Sequence, residues 1–200
     1  MDLLDKLDNE KQQEDKKLKI ETNDSLSTIL SGWQKIQQVK YTFAYGIYTF
    51  CESLLPQEYS VNDVIQFYLG HRIDFNQEFV YRMEGLYLSA LVNHCNEKEI
   101  IFFKNYHELV PAYIGFRNRN KLTFLGDIVF NAGRDMESGI LIINGNAGDM
   151  VGHLMQGGVI HIGGDYNSIS RHVYGGDIYH KNKLLIKDGK PVKGAEIKWL

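Results

Sequence analysis

The sequence predicts a mainly β protein: a parallel β-solenoid of about 4–6 short coils, with an N-terminal helical region packed on it or capping it. Three glycines, Gly126, Gly145 and Gly164, are spaced 19 residues apart. The short segment before each glycine is apolar at alternate positions, as in a strand with one buried face. A fixed period near 20 residues is typical of stacked repeats, in which each unit buries its apolar face only against its neighbours.

Each unit is expected to form one strand, a Gly-Asp or Gly-Asn corner, a looser apolar segment and a second corner of small residues. Alternate strand residues face the same side, so two columns should point inward: Leu122–Leu141–Ile160 and Phe124–Ile143–Ile162. Glycine is expected where the coil turns with positive φ or where neighbouring backbones approach closely. The repeats are clear over 121–176, and similar glycine spacing upstream extends the predicted solenoid to 84–180.

The run from Gly139 to Asp165 resembles a known repeat domain. It reads Gly-x-Leu-x-Ile-x-Gly-x-x-Gly-Asp-x-x-Gly-x-x-Met-x-Gly-Gly-x-Ile-x-Ile-x-Gly-Asp. This is similar to the Gly-x-Gly-x-Gly repeat domain in the C-terminal part of the glutamate synthase large chain and in one of the subunits of formylmethanofuran dehydrogenase. The resemblance covers about residues 121–180 and departs from the pattern at residues 168–171, Ser-Ile-Ser-Arg. It implies a right-handed β-helix with a scaffold or assembly role, because in those families other domains or subunits do the chemistry.

The N-terminal region is expected to be helical. Residues 1–24 carry eight acidic and five basic side chains, which predicts a charged, flexible arm, with a partner-binding helix as the alternative. One long helix is predicted from Asp24 to Leu55, with Asn23 or Asp24 as its N-cap. The apolar stripe of that helix contains Ile29, Trp33, Ile36, Phe43, Ile47, Phe50 and Leu54, interrupted by Lys40. The stripe is expected to pack on the solenoid, with a subunit interface as the alternative.

Two shorter patterns complete the outline. Ser60 and Asp63 have capping-box spacing before a short helix, so residues 25–83 are taken as a helical cap region. Short strands are then predicted over 86–92 and 100–103. At the other end, Asp188-Gly189 between two apolar runs predicts a hairpin that caps the solenoid over residues 181–200.

Composition and motifs narrow the functional classes. The net charge of −3 and the absence of a basic-aromatic pattern argue against a nucleic-acid partner. No apolar run of membrane-spanning length occurs, and the start of the chain does not resemble a secretory signal, so a cytoplasmic protein without a membrane partner is expected. No phosphate-binding loop, dinucleotide fingerprint, zinc-protease motif or nucleophile elbow is present, so no catalytic residue, cofactor or metal site is predicted.

Two polar ladders stand out at the repeat period. Arg134, His153 and His172 occupy equivalent positions on successive coils and should stack about 5 Å apart, so they form the candidate ligand face. A solvated polar surface is the competing interpretation. The second ladder follows the repeat glycines Gly126, Gly145 and Gly164 and consists of Asp127, Asn146 and Asp165. These residues are expected to be structural corners, because short Asp and Asn side chains form hydrogen bonds with nearby backbone.

Three functions follow as hypotheses. The first is a non-catalytic solenoid that works as a scaffold or assembly protein, with a protein partner or as a homo-oligomer. The second is a structural subunit of an enzyme complex of the glutamate synthase or formylmethanofuran dehydrogenase type. The third is a small-ligand or metal binder that uses the Arg134–His153–His172 face.

Overall fold

The computed structural model describes residues 23–39, 43–70, 80–103 and 111–200. Within them the chain forms a β-solenoid of about four turns, preceded by four helices, which confirms the predicted fold class. The helices are α1 (Asp24–Ile36), α2 (Ala44–Ser53), α3 (Val61–Gly70) and α4 (Val80–His94). The strands are β1 (Glu99–Phe103), β2 (Lys121–Leu125), β3 (Ile128–Phe130), β4 (Ile140–Ile143), β5 (Ala147–Asp149), β6 (Val159–Ile162), β7 (Asp177–His180), β8 (Lys183–Lys187) and β9 (Lys190–Pro191).

The main sheet contains seven strands in the order β1-β2-β4-β6-β7-β8-β9. The first five strands are parallel, and their register aligns equivalent residues of successive coils. Both predicted columns are buried in the solenoid core, and the first continues from Ile100 at one end to Ile178 at the other. Strands β3 and β5 form a second parallel sheet on another side of the coil.

The third side of each coil turns through left-handed backbone. Gly115, Gly133 and Gly152 have φ values of +78°, +64° and +68°, and each is flanked two residues away on both sides by non-glycine residues with positive φ. The repeat glycines behave differently, because Gly145 and Gly164 do not have left-handed φ. A Cβ at either position would run into the carbonyl of the preceding repeat glycine, so close approach of neighbouring coils explains them.

Helix α4 covers the N-terminal end of the solenoid. Gly85 lets its backbone lie against Ala112, where a Cβ would collide with the carbonyl oxygen. One turn further on, Ser89 Oγ donates to Tyr113 O (3.0 Å) and accepts from Phe116 N–H (3.1 Å). After another turn, Asn93 donates to Phe116 O (3.0 Å) and accepts from the backbone N–H of Arg119 (3.2 Å). These residues share one helix face, which therefore takes the place of a preceding coil.

The other helices pack around α4. Trp33 of α1 stacks on Tyr87 of α4 with ring centroids 6.1 Å apart, and Phe67 of α3 meets both rings edge-on. The predicted caps are confirmed. Asn23 accepts from Leu26 N–H (2.7 Å), and Asp63 accepts from Ser60 N–H (2.9 Å) while Ser60 Oγ accepts from Asp63 N–H (3.3 Å).

Two secondary-structure predictions are wrong. The single helix over residues 24–55 is two helices, because α1 ends at Ile36 and α2 begins at Ala44; Lys40, which interrupts the predicted stripe, lies outside the described residues. Residues 86–92, predicted as a strand, belong to α4. All seven of these residues are buried between the solenoid and the other helices, and a helix buried all round shows no period that separates it from a buried strand.

The C-terminal residues cover the other end of the solenoid. The hairpin predicted at Asp188-Gly189 is present between β8 and β9, and both turn residues have positive φ (+49° and +73°), as a two-residue hairpin loop of this kind requires. Strand β8 pairs antiparallel with β7 and so covers the edge of the main sheet. Trp199 pairs with Ile169 on the opposite side of the last coil.

Candidate functional site

The candidate ligand face lies on the third side of the coils. Arg134, His153 and His172 occupy equivalent positions, as the ladder bonds Asp135 N–H to His153 O (2.8 Å) and Leu154 N–H to His172 O (2.7 Å) show. The imidazole rings of His153 and His172 have centroids 5.8 Å apart and meet edge to face. The structure therefore brings the three predicted residues together on successive coils.

His153 is held against a buried hydroxyl. Its Nδ1 lies 2.9 Å from Ser170 Oγ, which also accepts from His172 N–H (3.1 Å). Burial lowers the pKa of His153, electrostatic interaction with Arg134 and His172 lowers it further, and Asp135 opposes the shift only in part. The ring is therefore neutral at neutral pH.

Arg134 is engaged by its own neighbours. Its Nε donates to Asp135 Oδ2 (3.1 Å), and its guanidinium lies 5.8 Å from the ring centroid of Tyr113. Asp135 is buried and accepts a second hydrogen bond from the Tyr45 hydroxyl of α2 (3.1 Å). This aspartate therefore links the helical region to the coil and balances the charge of Arg134.

The next arginines along this side are paired as well. Glu137 holds Arg117 through one carboxylate oxygen and Arg119 through the other, with the closest N–O distance 2.6 Å in each pair. Each guanidinium directs two nitrogens at a single carboxylate oxygen, and these charge-assisted contacts fix both groups in place. Carboxylates thus hold all three arginines, but Glu137 is shared by two of them, so one positive charge stays unbalanced.

The chemistry available at this face is limited. In the described part of the chain, no group of three or more His, Cys, Asp or Glu side chains is placed to hold a metal ion. Ser170 and His153 have the spacing of a nucleophile and a base, but Ser170 is fully buried, so a substrate cannot reach its Oγ. The contacts observed connect one coil to the next.

The predicted corner residues form a hydrogen-bonded ladder. Asp127 Oδ1 accepts from Asn146 N–H (2.7 Å), and Asn146 Oδ1 accepts from Asp165 N–H (2.8 Å). Each side chain thus bonds the backbone of the next coil, whereas the sequence led us to expect bonds to its own backbone. At the end of the ladder, Asp165 accepts from Lys181 Nζ (2.6 Å). The backbone is bonded in the same way, because Gly145 N–H donates to Gly126 O (3.1 Å) and Gly164 N–H donates to Gly145 O (2.9 Å). Both backbone and side-chain hydrogen bonds therefore connect successive corners.

A second surface, which the sequence reasoning missed, lies on the outer face of the main sheet. We call it the outer patch; it consists of Ile140, Ile142, Val159, His161 and Tyr179. All five side chains are partly exposed, and the rings of His161 and Tyr179 stack with centroids 4.8 Å apart and planes at 18°. Among the described residues, the helix that contacts the main sheet most is α3, and it contacts β1, which lies outside the patch. The signal was present in the sequence, because β4 is apolar at four consecutive positions instead of alternating.

A shallow groove adjoins the outer patch. Beside Ile142 and His161 it is lined by Asn144, Gly163, Lys181 and Asn182. An apolar surface bordered by polar groups in this way is typical of protein interaction sites. In the described part of the chain no helix combines the length and the apolar composition needed to cross a bilayer.

Comparison with models of protein families, with curated proteins and with solved structures finds no match to this chain.

Proposed function

We propose that this chain is a non-catalytic β-solenoid scaffold that mediates protein–protein contacts. The observation that supports it is the outer patch, an apolar and partly aromatic surface on a solenoid whose two ends are both covered. A rigid sheet face presents its side chains without ordering them first, which favours its use as a binding surface. The partner is a second protein or another copy of this chain.

The candidate ligand face supports a structural role. Hydrogen bonds and ring contacts connect Arg134, His153 and His172 to neighbouring side chains and coils. Their polar groups therefore contribute to the stability of the stack. The buried, unpaired thiols of Cys51 and Cys95 favour a reducing compartment, and we place the protein in the cytoplasm.

A second candidate rests on the Gly-x-Gly-x-Gly resemblance. In that case the chain is a structural subunit of a larger enzyme assembly of the glutamate synthase or formylmethanofuran dehydrogenase type. The solenoid then spaces or orders catalytic partners, and the outer patch contacts one of them. Recovery with a chain that carries a flavin or metal cofactor distinguishes this candidate from a scaffold with other partners.

Native mass spectrometry of the tagged protein recovered from its own cells tests the proposal. Three forms are compared: wild type, Ile142→Asp in the outer patch, and Val129→Asp as a matched control. Val129 is 49% exposed on the second sheet, so the control adds the same charge outside the patch. We expect wild type and the control to be recovered as complexes and Ile142→Asp as a monomer. Recovery of the wild type as a monomer would overturn the proposal, and so would complexes that survive Ile142→Asp.

A further inference from the structure

The outer face of the main sheet carries a charge pattern that is complementary to itself. Along the solenoid axis, one outward row contains Glu99, Lys121, Ile140, Val159, Asp177 and Lys187 on β1, β2, β4, β6, β7 and β8. Lys187 belongs to the row because it follows Ile186, the strand partner of the inward-facing Ile178. The charges therefore read minus, plus, neutral, neutral, minus, plus.

A two-fold axis parallel to the strands reverses this row and lays it on itself. Strand β1 of one copy then lies over β8 of the other, β2 over β7, and β4 over β6. Every charge meets its opposite, since Glu99 faces Lys187 and Lys121 faces Asp177. The two neutral positions, Ile140 and Val159, face each other at the centre. An isologous dimer requires this kind of self-complementary surface.

The neighbouring outward row fits the same arrangement. It contains Ile101, Thr123, Ile142, His161, Tyr179 and Leu184, all without a carboxylate or lysine. Because a rotation about the strand direction keeps the position along each strand, this row also lies on itself. Ile101 then meets Leu184, and Ile142 meets the ring of His161. The contact thus has an apolar centre with charged residues at its two ends, as protein interfaces commonly do.

The opposite arrangement is disfavoured by the same charges. If the two-fold axis were parallel to the solenoid axis, each strand would lie over its own copy. The strand direction is reversed, so in a contact that uses both rows Glu99 would face Ile101 and Lys121 would face Thr123. Charged side chains placed against uncharged ones lose hydration without gaining an opposite charge, which disfavours the contact. The charge pattern therefore selects antiparallel solenoid axes.

We propose that the outer patch is the interface of a homodimer in which the two solenoids lie face to face with antiparallel axes. This inference rests on the proposed function, since it names the partner of the same surface. Six strands at about 4.8 Å spacing and two side-chain rows give a flat contact of roughly 25 by 14 Å. That is smaller than the roughly 800 Å² per partner of a standard interface, so we expect a weak, concentration-dependent dimer.

Sedimentation velocity of the purified full chain over a wide concentration range tests the dimer. Wild type and Val129→Asp should pass from monomer to dimer with the same dissociation constant. Ile142→Asp should stay monomeric, because it places a carboxylate at the apolar centre. Circular dichroism checks that each variant is folded. A folded wild type that stays monomeric would overturn the proposal, and so would an Ile142→Asp variant that dimerises like wild type.

Charge exchange tests the antiparallel register and does not depend on the folding of Ile142→Asp. Glu99→Lys or Lys187→Glu alone should weaken the dimer by roughly tenfold, because the two-fold axis places each affected pair in the interface twice. The double variant restores opposite charges across the interface and should recover most of the affinity. A double variant no tighter than either single one would refute the register. Both residues are exposed in the monomer, so their exchange leaves the core unchanged. Glu99→Lys also breaks the ion pair of Glu99 with Lys121 of the same copy (2.6 Å), so Lys187→Glu is the cleaner single variant.

The two proposals fail in different ways. A wild type that is monomeric when purified but is recovered from cells with a different chain would remove the dimer and keep the scaffold function. A wild type that is monomeric in both experiments would remove both.

Discussion

The substitution Ser89→Ala tests whether helix α4 replaces a coil at the N-terminal end of the solenoid. It removes one buried hydroxyl and no apolar surface. The Tyr113 carbonyl and the Phe116 N–H, both bonded to Ser89 Oγ in the wild type, lose this partner. The two groups keep a hydrogen bond to each other (Phe116 N–H to Tyr113 O, 3.1 Å), so neither is left without a partner. A hydrogen bond contributes about 0.5–1.5 kcal/mol net, so the loss of both bonds to the hydroxyl should lower the free energy of unfolding by about 1–3 kcal/mol.

Urea unfolding followed by circular dichroism measures this loss, and an unchanged m-value shows that the comparison is valid. Hydrogen exchange shows where in the solenoid the destabilisation occurs. The amide of Phe116 should lose more protection than the amide of Lys181, which donates to Ile162 O in the last coil. Ser25→Ala is the matched control, because Ser25 Oγ also donates to a backbone carbonyl, that of Glu58, but at an exposed site. A loss for Ser89→Ala no larger than that of the control would refute the capping role.

Three further predictions concern the glycines and two titratable groups. Gly145→Ala should destabilise the protein by about 1–3 kcal/mol, because the added Cβ would press on the preceding coil. Gly46→Ala on helix α2 should stabilise it by about 0.5–1 kcal/mol, because a Cβ added there would have no atom within 4 Å. Equal melting temperatures for the two variants would contradict this prediction. Burial raises the pKa of Asp63, but the hydrogen bonds of its carboxylate outweigh that effect, and the pKa is lowered overall. The contribution of Asp63 to the free energy of unfolding is therefore present above about pH 3.9 and is lost as the pH falls through the folded pKa. Asp63→Asn should flatten the fall in stability, measured by urea unfolding, over that range. Because the pKa of His153 is lowered in the folded state, the unfolded chain takes up the proton first as the pH falls. The free energy of unfolding should therefore fall below about pH 6.5, and His153→Gln should reduce that fall. An NMR titration that gives His153 a pKa at or above about 6.5 would contradict this prediction.

The solenoid could be predicted from sequence because its coils repeat with a nearly constant period. A fixed spacing aligns Leu122, Leu141 and Ile160 in one column without any knowledge of the rest of the chain. The helical region offered no such repetition. Its run 86–92 is apolar at nearly every position, because α4 is enclosed by the solenoid on one side and by helices on the other. Local pattern could not separate a buried helix from a buried strand there.

The polar face could be located from sequence, but its chemical character could not. The period aligned Arg134, His153 and His172, while their partners come from outside that alignment. Asp135 is the neighbour of Arg134, and its second partner, Tyr45, is 90 residues away in α2. Ser170 stands in a column otherwise held by glycines, within the segment where the repeat pattern breaks.

That break shows how departures from a repeat are best interpreted in this chain. Ser168 accepts from Met150 N–H (3.1 Å) and donates to Asp149 (2.9 Å), and Ser170 contacts both histidines. The serines thus bond groups of the preceding coil at the point where the coil is one residue shorter. The outer patch is the opposite case, because its side chains keep the register of the repeat but face outward and are partly exposed. Polar residues that break the repeat therefore bond the preceding coil, whereas the apolar residues that keep the repeat but face outward form the surface for which we propose a binding role.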